Sequence, residues 1–237
     1  MEVKVVRRGF DKDDTRWFSK ENMKKLKTAQ EELVWLLDRG YKIERILDLV
    51  GDKNQFSKRQ RMALMRSTAS SKECQEREKK CLDLKEGENG TIYIDGFNLI
   101  ITLEVALSKS KVLLGNDGVI RDLAGLRGTY KIIDKTYTAL ELIGKTLDEL
   151  LVPGVIFYLD QPVSNSGMLK QLTLAISKDW NSHVDVEIVR NPDVLLMKMG
   201  RVVSGDKVIL NHCESWFNLA NYIIKEYLED ADIVDLY

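Results

Sequence analysis

Three aspartates stand at or just beyond the carboxyl ends of short apolar segments in this sequence. The segments TIYI, VIFYL and VVSG run directly into Asp95, Asp160 and Asp206. In an open sheet of parallel strands, ligands bind outside the carboxyl ends of the strands. Carboxylates that meet there repel one another unless a cation neutralises them, and hard oxygen ligands suit Mg²⁺ or Mn²⁺. Together the three positions favour a metal site, whereas each aspartate alone is more typical of a turn or a helix cap.

Small and polar neighbours accompany these aspartates. Gly96 would let a ligand approach the backbone closely, and Asn98 is placed to orient the first aspartate or to bind a metal-bound water. Ser204 is placed to fix the carboxylate of Asp206 by a hydrogen bond. Asn165 lies in the polar loop after the second aspartate, where backbone N–H groups at a helix start are able to hold phosphate oxygens. Ordinary loop and cap chemistry is the alternative for this loop.

The segment GNDGVIRDLAGLRG (115–128) is unusually polar and rich in glycine for the middle of a domain. Arg121, Asp122 and Arg127 are placed to contact phosphate or to complete the acidic cluster. The alternative is a hairpin with paired surface charges, since strand-like runs flank a Gly-Asn-Asp-Gly turn. Asp117 is interpreted as part of that turn, and the weaker acidic candidates elsewhere are Asp134, Glu141 and Asp193.

The segment from Ser57 to Ser71 is the best nucleic-acid feature of the sequence, because it holds four cations and no acid. Three of the cations crowd the first turn of a predicted helix, where the helix dipole disfavours positive charge. A bound phosphate would remove that conflict, since helix N-termini bind anions. A solvated basic face is the alternative. The four predicted nucleic-acid-binding cations are Lys58, Arg59, Arg61 and Arg66.

Three helices are predicted in the first third of the chain to position these cations. Apolar residues recur at helical spacing after a Ser19 cap, which predicts a helix over 20–39. A short helix over 43–50 follows and is expected to stop at the next glycine. A capping box that begins at Ser57 starts the third helix. Residues 71–90 are charged, and we interpret them as a helical tail and a linker.

After the linker, short segments rich in β-branched and aromatic residues alternate with helical stretches. This alternation predicts a parallel sheet covered by helices on both faces. The expected architecture is a small basic all-α domain at 1–85, followed by an α/β domain at 86–237. The predicted strands are 91–95, 155–160, 184–189 and 201–204, with an inserted hairpin of 111–114 and 119–123. The predicted helices are 99–107, 130–151, 166–177 and 214–229.

Composition excludes several classes of protein. The 237 residues are 44% hydrophobic and 31% charged, so a packed core is expected and wholesale disorder is not. No apolar run approaches the ~18 residues of a membrane helix, and the start lacks the apolar core of a signal peptide. Three cysteines without a CxxC pair make structural zinc improbable. The expectation is a soluble, cytoplasmic protein with no membrane partner.

The net charge of −1 hides a difference between the two parts of the chain. Residues 1–85 hold 22 Lys and Arg against 15 Asp and Glu, whereas residues 86–237 hold 14 against 22. A basic N-terminal part and an acidic C-terminal part are typical of a nucleic-acid-binding domain joined to a carboxylate-rich site. Two solvated surfaces that differ in sign are the alternative.

Three motifs resemble the PIN-like nuclease superfamily, including its NYN branch. They are IYIDGFNLI (92–100), VIFYLDQPVSNSG (155–167) and VVSGDKVILN (202–211). The first looks like that branch's Asp-Gly-aromatic-Asn opening. The resemblance implies a metal-dependent ribonuclease fold, in which the acidic strand-end positions are matched by Asp95, Asp160 and Asp206. The acidic residue that is usual on the helix after the second strand has no unambiguous match, and its candidates are Asp122, Asp134 and Glu141.

Two longer motifs carry a more specific resemblance. LLDRGYKIERILDLVGDKNQFSKRQRMALMRS (36–67) and GVIRDLAGLRGTY (118–130) resemble an uncharacterised prokaryotic family, number 434 of the domains of unknown function. This resemblance covers about residues 20–230. It implies a helical N-terminal domain joined to a PIN-like C-terminal one.

The sequence therefore predicts a Mg²⁺- or Mn²⁺-dependent endoribonuclease. Asp95, Asp160 and Asp206 would hold one or two ions, with Asp122 as a further candidate ligand, and the ion would lower the pKa of a bound water. An arginine of the 115–128 segment would hold the phosphate. RNA is the expected partner, and a homo-oligomer is compatible with the sequence. The alternatives are a non-catalytic RNA-binding protein with a degenerate PIN-like domain and a protein-interaction adaptor.

Overall fold

The computed structural model of the protein describes residues 6–125 and 128–236. Helices make up the first third of the chain and alternate with strands thereafter. The helices are α1 Asp14–Trp17, α2 Lys20–Leu37, α3 Ile43–Lys53, α4 Lys58–Ser67, α5 Ser71–Lys80, α6 Gly96–Leu107, α7 Asp134–Glu149, α8 Ser166–Ile176, α9 Pro192–Leu196, α10 Lys207–His212 and α11 Leu219–Tyr227. The strands are β1 Ile92–Asp95, β2 Val112–Leu114, β3 Ile120–Asp122, β4 Gly154–Asp160, β5 His183–Val189, β6 Val202–Val203 and β7 Ile233–Asp235.

Serine caps mark the starts of α2, α4 and α5. The Ser19 hydroxyl accepts the backbone N–H of Asn22 at the start of α2. The predicted capping box is present at the start of α4, where Ser57 and Gln60 satisfy each other's backbone N–H groups. The predicted stop of the second helix is wrong, since α3 runs through Gly51 to Lys53. That glycine makes room for a guanidinium, because an added Cβ would lie 2.3 Å from Arg61 Nη1.

The large sheet is parallel and has the strand order β5-β4-β1-β6. Strand β1 lies at its centre, with Ile94 opposite Phe157 of β4 and Val203 of β6. Helices cover this sheet, and their apolar faces form the main core with it. The structure thus confirms the predicted α/β class with a parallel sheet flanked by helices.

A second, smaller sheet has the order β3-β2-β7. Strands β2 and β3 form the predicted antiparallel hairpin, and β7 adds parallel to β2. The core of the N-terminal helices includes side chains from this sheet and the residues next to it: Leu113, Leu123, Val234 and Leu236. The predicted domains 1–85 and 86–237 therefore share a core.

Several element ends differ from the sequence prediction. Helix α6 starts at Gly96 because Asp95 at the end of β1 also caps the helix and accepts the N–H of Asn98. Helix α7 begins four residues later than predicted, and α11 begins at Leu219 instead of residue 214. The short elements α9, α10 and β7 were not predicted. None of the helices in the described part of the chain has the length and apolarity that a bilayer crossing requires.

Candidate carboxylate site

Five aspartates line one pocket of about 200 Å³, which we call the carboxylate pocket. Strands β4, β1 and β6 are neighbours, so residues at their carboxyl ends meet at one edge of the sheet. The sequence-predicted ligands Asp95, Asp160 and Asp206 all reach this pocket, and the further candidate Asp122 joins them. The complete lining is Arg66, Asp95, Phe97, Asn98, Ile101, Asp122, Asp160, Asp193 and Asp206.

Asp95 is a buried carboxylate of this pocket, with 6% of its surface exposed. Its Oδ2 accepts the Ser204 hydroxyl at 2.7 Å, and its Oδ1 accepts the backbone N–H of Asn98 at 3.4 Å. Burial, followed by the charges of Asp193 and Asp206, raises the pKa of Asp95 to about 7. The two hydrogen bonds oppose this rise but do not cancel it. Asp95 is therefore a carboxyl whose charge the surrounding protein does not compensate.

Asp206 is held at the rim of the pocket by the turn that follows β6. Its Oδ1 caps α10 by accepting the N–H groups of Val208 at 2.7 Å and Ile209 at 3.2 Å. Asn98 accepts the N–H of Gly205 at 2.7 Å and so anchors the same turn. Ser204 accepts the N–H of Asp206, whereas its hydroxyl proton goes to Asp95. The expectation that Ser204 fixes the carboxylate of Asp206 is thus wrong, since the carboxylate that it binds is that of Asp95.

Asp160 and Asp193 complete the acidic wall. Asp160 ends β4, and partial burial raises its pKa. Asp193 lies on α9, which follows β5, the fourth strand of the sheet. Partial burial and the charges of Asp206 and Asp160 raise the pKa of Asp193. A search for an acidic residue after the carboxyl end of β5, as was made for β1, β4 and β6, would have identified Asp193. By sequence it was only a weak candidate.

Asp122 enters the pocket from the small sheet and meets a cation from the N-terminal helices. It is 5% exposed, and its Oδ1 accepts the N–H of Ala124 at 2.7 Å. Its Oδ2 accepts a hydrogen bond from Arg66 Nη2 on α4, at the long distance of 3.3 Å. Among the described residues, Arg66 is the one cation that lines the pocket. The sequence predicted Arg66 as a nucleic-acid contact but did not connect it with the aspartates.

Arg121, next to Asp122 on β3, lies in a different environment. Its guanidinium donates to both carboxylate oxygens of Asp117, at 2.8 and 2.6 Å, and to the carbonyl of Gly205 at 2.7 Å. Arg77 of α5 pairs with the same aspartate, and we call Arg77, Asp117 and Arg121 the Asp117 cluster. All three side chains are at least 96% buried. The expectation that Arg121 contacts phosphate is therefore wrong, and Asp117 does more than form a turn.

Two of the three cations in the first turn of α4 are paired with aspartates of the protein. Arg59 pairs with Asp14 at 2.9 Å and donates to the carbonyls of Gly9 and Leu123. Arg61 pairs with Asp52 at 2.7 Å. These aspartates supply the negative charge that the sequence argument assigned to a phosphate, so that argument is wrong for both arginines. Lys58 is exposed and keeps its predicted role as a nucleic-acid contact.

The remaining predicted site residues lie away from the carboxylate pocket or outside the residues that the structure describes. Asn165 has a left-handed backbone and donates its side-chain amide to the carbonyl of Tyr130 at 2.6 Å, which fixes the loop before α8. Gly96 is needed for packing, because an added Cβ would lie 2.6 Å from Leu159 of β4. Neither Asp134 nor Glu141 lines the pocket. Arg127 lies outside the described residues.

The pocket offers oxygen donors of the type that Mg²⁺ and Mn²⁺ prefer. Within residues 6–125 and 128–236, however, no group of three or more Asp, Glu, His or Cys side chains is arranged to hold one metal ion as it stands. The arrangement is therefore a set of separate carboxylates around a shared space.

Residues 84–222, more than half of the chain, match the family described as a domain of unknown function, DUF5616. The chain belongs to the DUF5616 family. Residues 25–80 match the family described as a protein of unknown function, DUF434, which confirms the family predicted from the motif at 36–67. The predicted extent of about 20–230 is wrong for that family, since the motif at 118–130 lies in the DUF5616 match. All five pocket aspartates lie in the DUF5616 part, whereas Arg66 lies in the DUF434 part.

The sequence of this DUF5616 protein is similar over most of its length to that of a curated relative. The chain is 34% identical over 185 residues to the uncharacterized protein MJ0935 of Methanocaldococcus jannaschii. The aligned part covers 78% of this chain and 88% of that relative, so the similarity extends over both family matches rather than over one motif. No solved structure matches the chain significantly.

Proposed function

We propose that this protein is a metal-dependent endoribonuclease whose PIN-like C-terminal region hydrolyses RNA at the carboxylate pocket. The observation that carries the proposal is the convergence of five aspartates on one small pocket, opposed by one cation among the described residues. Uncompensated buried carboxylates cost folding free energy, and shifted pKa values are concentrated at functional sites. A site of this kind is best explained by a positively charged ligand.

The donor set fits Mg²⁺ or Mn²⁺ in its chemistry. Asp95, Asp160 and Asp206 would hold the ion, and Asp122 and Asp193 stand close enough to the same space to contribute. Few direct carboxylate contacts suffice for Mg²⁺, because it keeps part of its water shell. When bound, the ion supplies positive charge next to the scissile phosphate and a water of lowered pKa.

The remaining residues hold this arrangement in place. Ser204 keeps Asp95 oriented towards the pocket, and Asn98 fixes the Gly205 turn that carries Asp206. Asp95 has a pKa of about 7, so it exchanges its proton near neutral pH in the cation-free protein. A divalent cation nearby would favour the ionised form.

The choice of RNA as the substrate comes from the resemblance to PIN-like and NYN-related nucleases and from the basic front of the chain. An exposed cation such as Lys58 would hold the RNA backbone by its charge, and this grip would weaken steeply with salt. The carboxylate pocket supplies the chemistry of phosphodiester hydrolysis, and the helical region supplies part of the affinity.

The test is cleavage of single-stranded RNA by the full chain with Mn²⁺, with and without EDTA. Asp160→Asn, Asp206→Asn and the triple variant with Asp95→Asn should each lose at least about 10³-fold in rate and agree within about tenfold, because ligands of one ion act as a unit. Asp179→Asn is the matched control: this aspartate is exposed and does not line the pocket. Its rate should equal that of the wild type.

The outcomes separate the proposal from its alternatives. Salt-dependent RNA binding without EDTA-sensitive cleavage would identify a degenerate, non-catalytic RNA-binding protein. The absence of both RNA binding and RNA cleavage would favour a protein-interaction adaptor. If Asp206→Asn alone keeps near-normal activity, Asp206 serves only as the cap of α10, and Asp122 becomes the leading third ligand.

A further inference from the structure

Arg66 differs from the other arginines of α4 in how it is held. Arg59 forms a bidentate pair with Asp14 at 2.9 Å and donates to two carbonyl groups as well. Arg61 makes a 2.7 Å pair with Asp52 and donates to the carbonyl of Phe56 at 3.0 Å. The bond of Arg66 to Asp122 is 3.3 Å long, and the Arg66 side chain is 33% exposed. The contact that holds the Arg66 guanidinium is therefore weaker than the contacts that hold Arg59 and Arg61.

The position of Arg66 is as distinctive as its contact. It is the one described cation on the wall of a pocket that carries five aspartates. A guanidinium presents five N–H donors in a planar fork that matches two oxygens of a phosphate. A phosphodiester entering between carboxylates needs positive charge on the protein side, and Arg66 is placed to provide it.

Asp122 is suited to hold the guanidinium temporarily. Its Oδ1 is fixed by the N–H of Ala124 at 2.7 Å, so the carboxylate stays in place when its partner moves. Its Oδ2 faces Arg66. The same oxygen cannot serve a guanidinium and a divalent cation fully at the same time, since both are positive and repel each other.

We infer that Arg66 is the substrate-phosphate ligand of the site: Asp122 holds its guanidinium in the free protein, and the guanidinium turns to the non-bridging oxygens of the RNA phosphodiester in the complex. This inference rests on the proposed endoribonuclease function. It makes the site composite, because the DUF5616 part supplies the carboxylates and the DUF434 part supplies the arginine. The helical region then takes part in the hydrolysis reaction as well as in RNA binding.

The experiment compares Arg66→Met, Arg66→Lys and Lys24→Met in the full chain. Lys24 is an exposed cation of α2 in the same helical region, so its substitution removes an equal charge away from the pocket. RNA binding is measured against salt with a single-stranded oligonucleotide and without divalent cations. Mn²⁺ binding is measured without RNA by calorimetry, and turnover is measured at saturating RNA. Thermal melting checks that each variant is folded.

Arg66→Met should lower the salt slope of RNA binding by about one unit and turnover by about 10²–10³-fold. It should also bind Mn²⁺ about threefold or more tightly, because a competing positive charge is gone. Arg66→Lys should keep the slope but recover only part of the turnover, since an ammonium cannot form the bidentate contact. Lys24→Met should match the wild type in Mn²⁺ affinity and turnover.

Two failures can be told apart. If the wild type neither binds Mn²⁺ nor cleaves RNA, the proposed function is wrong, and the salt slope of Arg66→Met still reports whether Arg66 contacts phosphate. If the wild type cleaves RNA but Arg66→Met behaves like Lys24→Met in turnover and Mn²⁺ affinity, Arg66 is only the structural partner of Asp122 and the inference is overturned.

Discussion

The Asp117 cluster and the carboxylate pocket use the same residue types in opposite ways. Adjacent residues of β3 supply one side chain to each, Arg121 to the cluster and Asp122 to the pocket. In the cluster, two arginines surround one aspartate, and all three are buried. In the pocket, five aspartates share one described arginine. Side chains of successive strand residues point to opposite faces, so one strand can feed both arrangements.

The pKa values show what this difference means. Burial alone would raise the pKa of Asp117, but the hydrogen bonds and charges of Arg121 and Arg77 hold it well below its usual range. Burial and the charges of the acidic neighbours Asp193 and Asp206 act in the same direction and together raise the pKa of Asp95 to about 7. The Asp117 cluster is therefore complete without a ligand. The carboxylate pocket stays unfavourable until a cation or a proton enters.

Asp117→Asn should lower stability more than any substitution in the carboxylate pocket, because it leaves the buried Arg121 guanidinium without its anion and leaves Arg77 only the 3.6 Å pair with Glu73. We expect the free energy of unfolding to fall by about 3–5 kcal/mol. The measurement is urea denaturation at pH 7 in EDTA, with Asp160→Asn as the comparison. Asp160→Asn removes a charge from a repulsive group, so its stability should hold or rise. Equal destabilisation by both substitutions would contradict the contrast between the two regions.

Asp95→Asn should stabilise the cation-free protein in a pH-dependent way. The folded pKa of about 7 lies above the ordinary 3.8, so the folded state holds its proton longer than the unfolded state does. The penalty of the charged Asp95 is absent below pH 3.8, grows as pH rises to 7, and is complete above it. Asn should therefore raise stability by about 4 kcal/mol at pH 8, or ~8–16 °C in Tm, and by nothing near pH 3.5.

Melting curves of Asp95→Asn and wild type across this pH range, in EDTA, make the measurement. Asp179→Asn serves as the control, because the same chemical change at an exposed position should give no pH-dependent gain. A gain that is independent of pH would contradict the raised pKa of Asp95, and a loss at pH 8 would show that Asp95 acts mainly as the cap of α6.

The smallest effect should separate paired from unpaired cations on α4. Lys58→Ala should lower the salt slope of RNA binding by about one unit, because one phosphate contact is lost. Arg59→Ala should change the slope less, since its guanidinium is bound to Asp14 and two carbonyl groups. Gel shifts at several salt concentrations measure both. If the two slopes fall equally, the pairing of Arg59 yields to RNA.

Much of the site was predictable because its signals are local. Asp95 and Asp160 end apolar strands, and Asp206 follows one closely. Because parallel strands end at the same edge of a sheet, these positions were enough to predict that the three aspartates lie close together. Asp193 was weaker by sequence because it lies within a short helix after a mostly exposed strand, HVDVEIV. Arg121 was misassigned because the local sequence shows Asp117 only as part of a polar turn and does not show that Arg77 of α5 joins it in a buried cluster with Arg121.

The sequence by itself determined the helix caps, the hairpin and the strand-end aspartates. These depend on interactions within a few residues, such as the box between Ser57 and Gln60. Only the tertiary structure decided how the α4 and α5 arginines Arg66 and Arg77 are paired, because their partners are far apart in the chain. Arg66 and Asp122 are 56 residues apart, and Arg77 and Asp117 are 40 apart. Burial then amplifies each pairing, since a charge removed from water must find its partner within the fold.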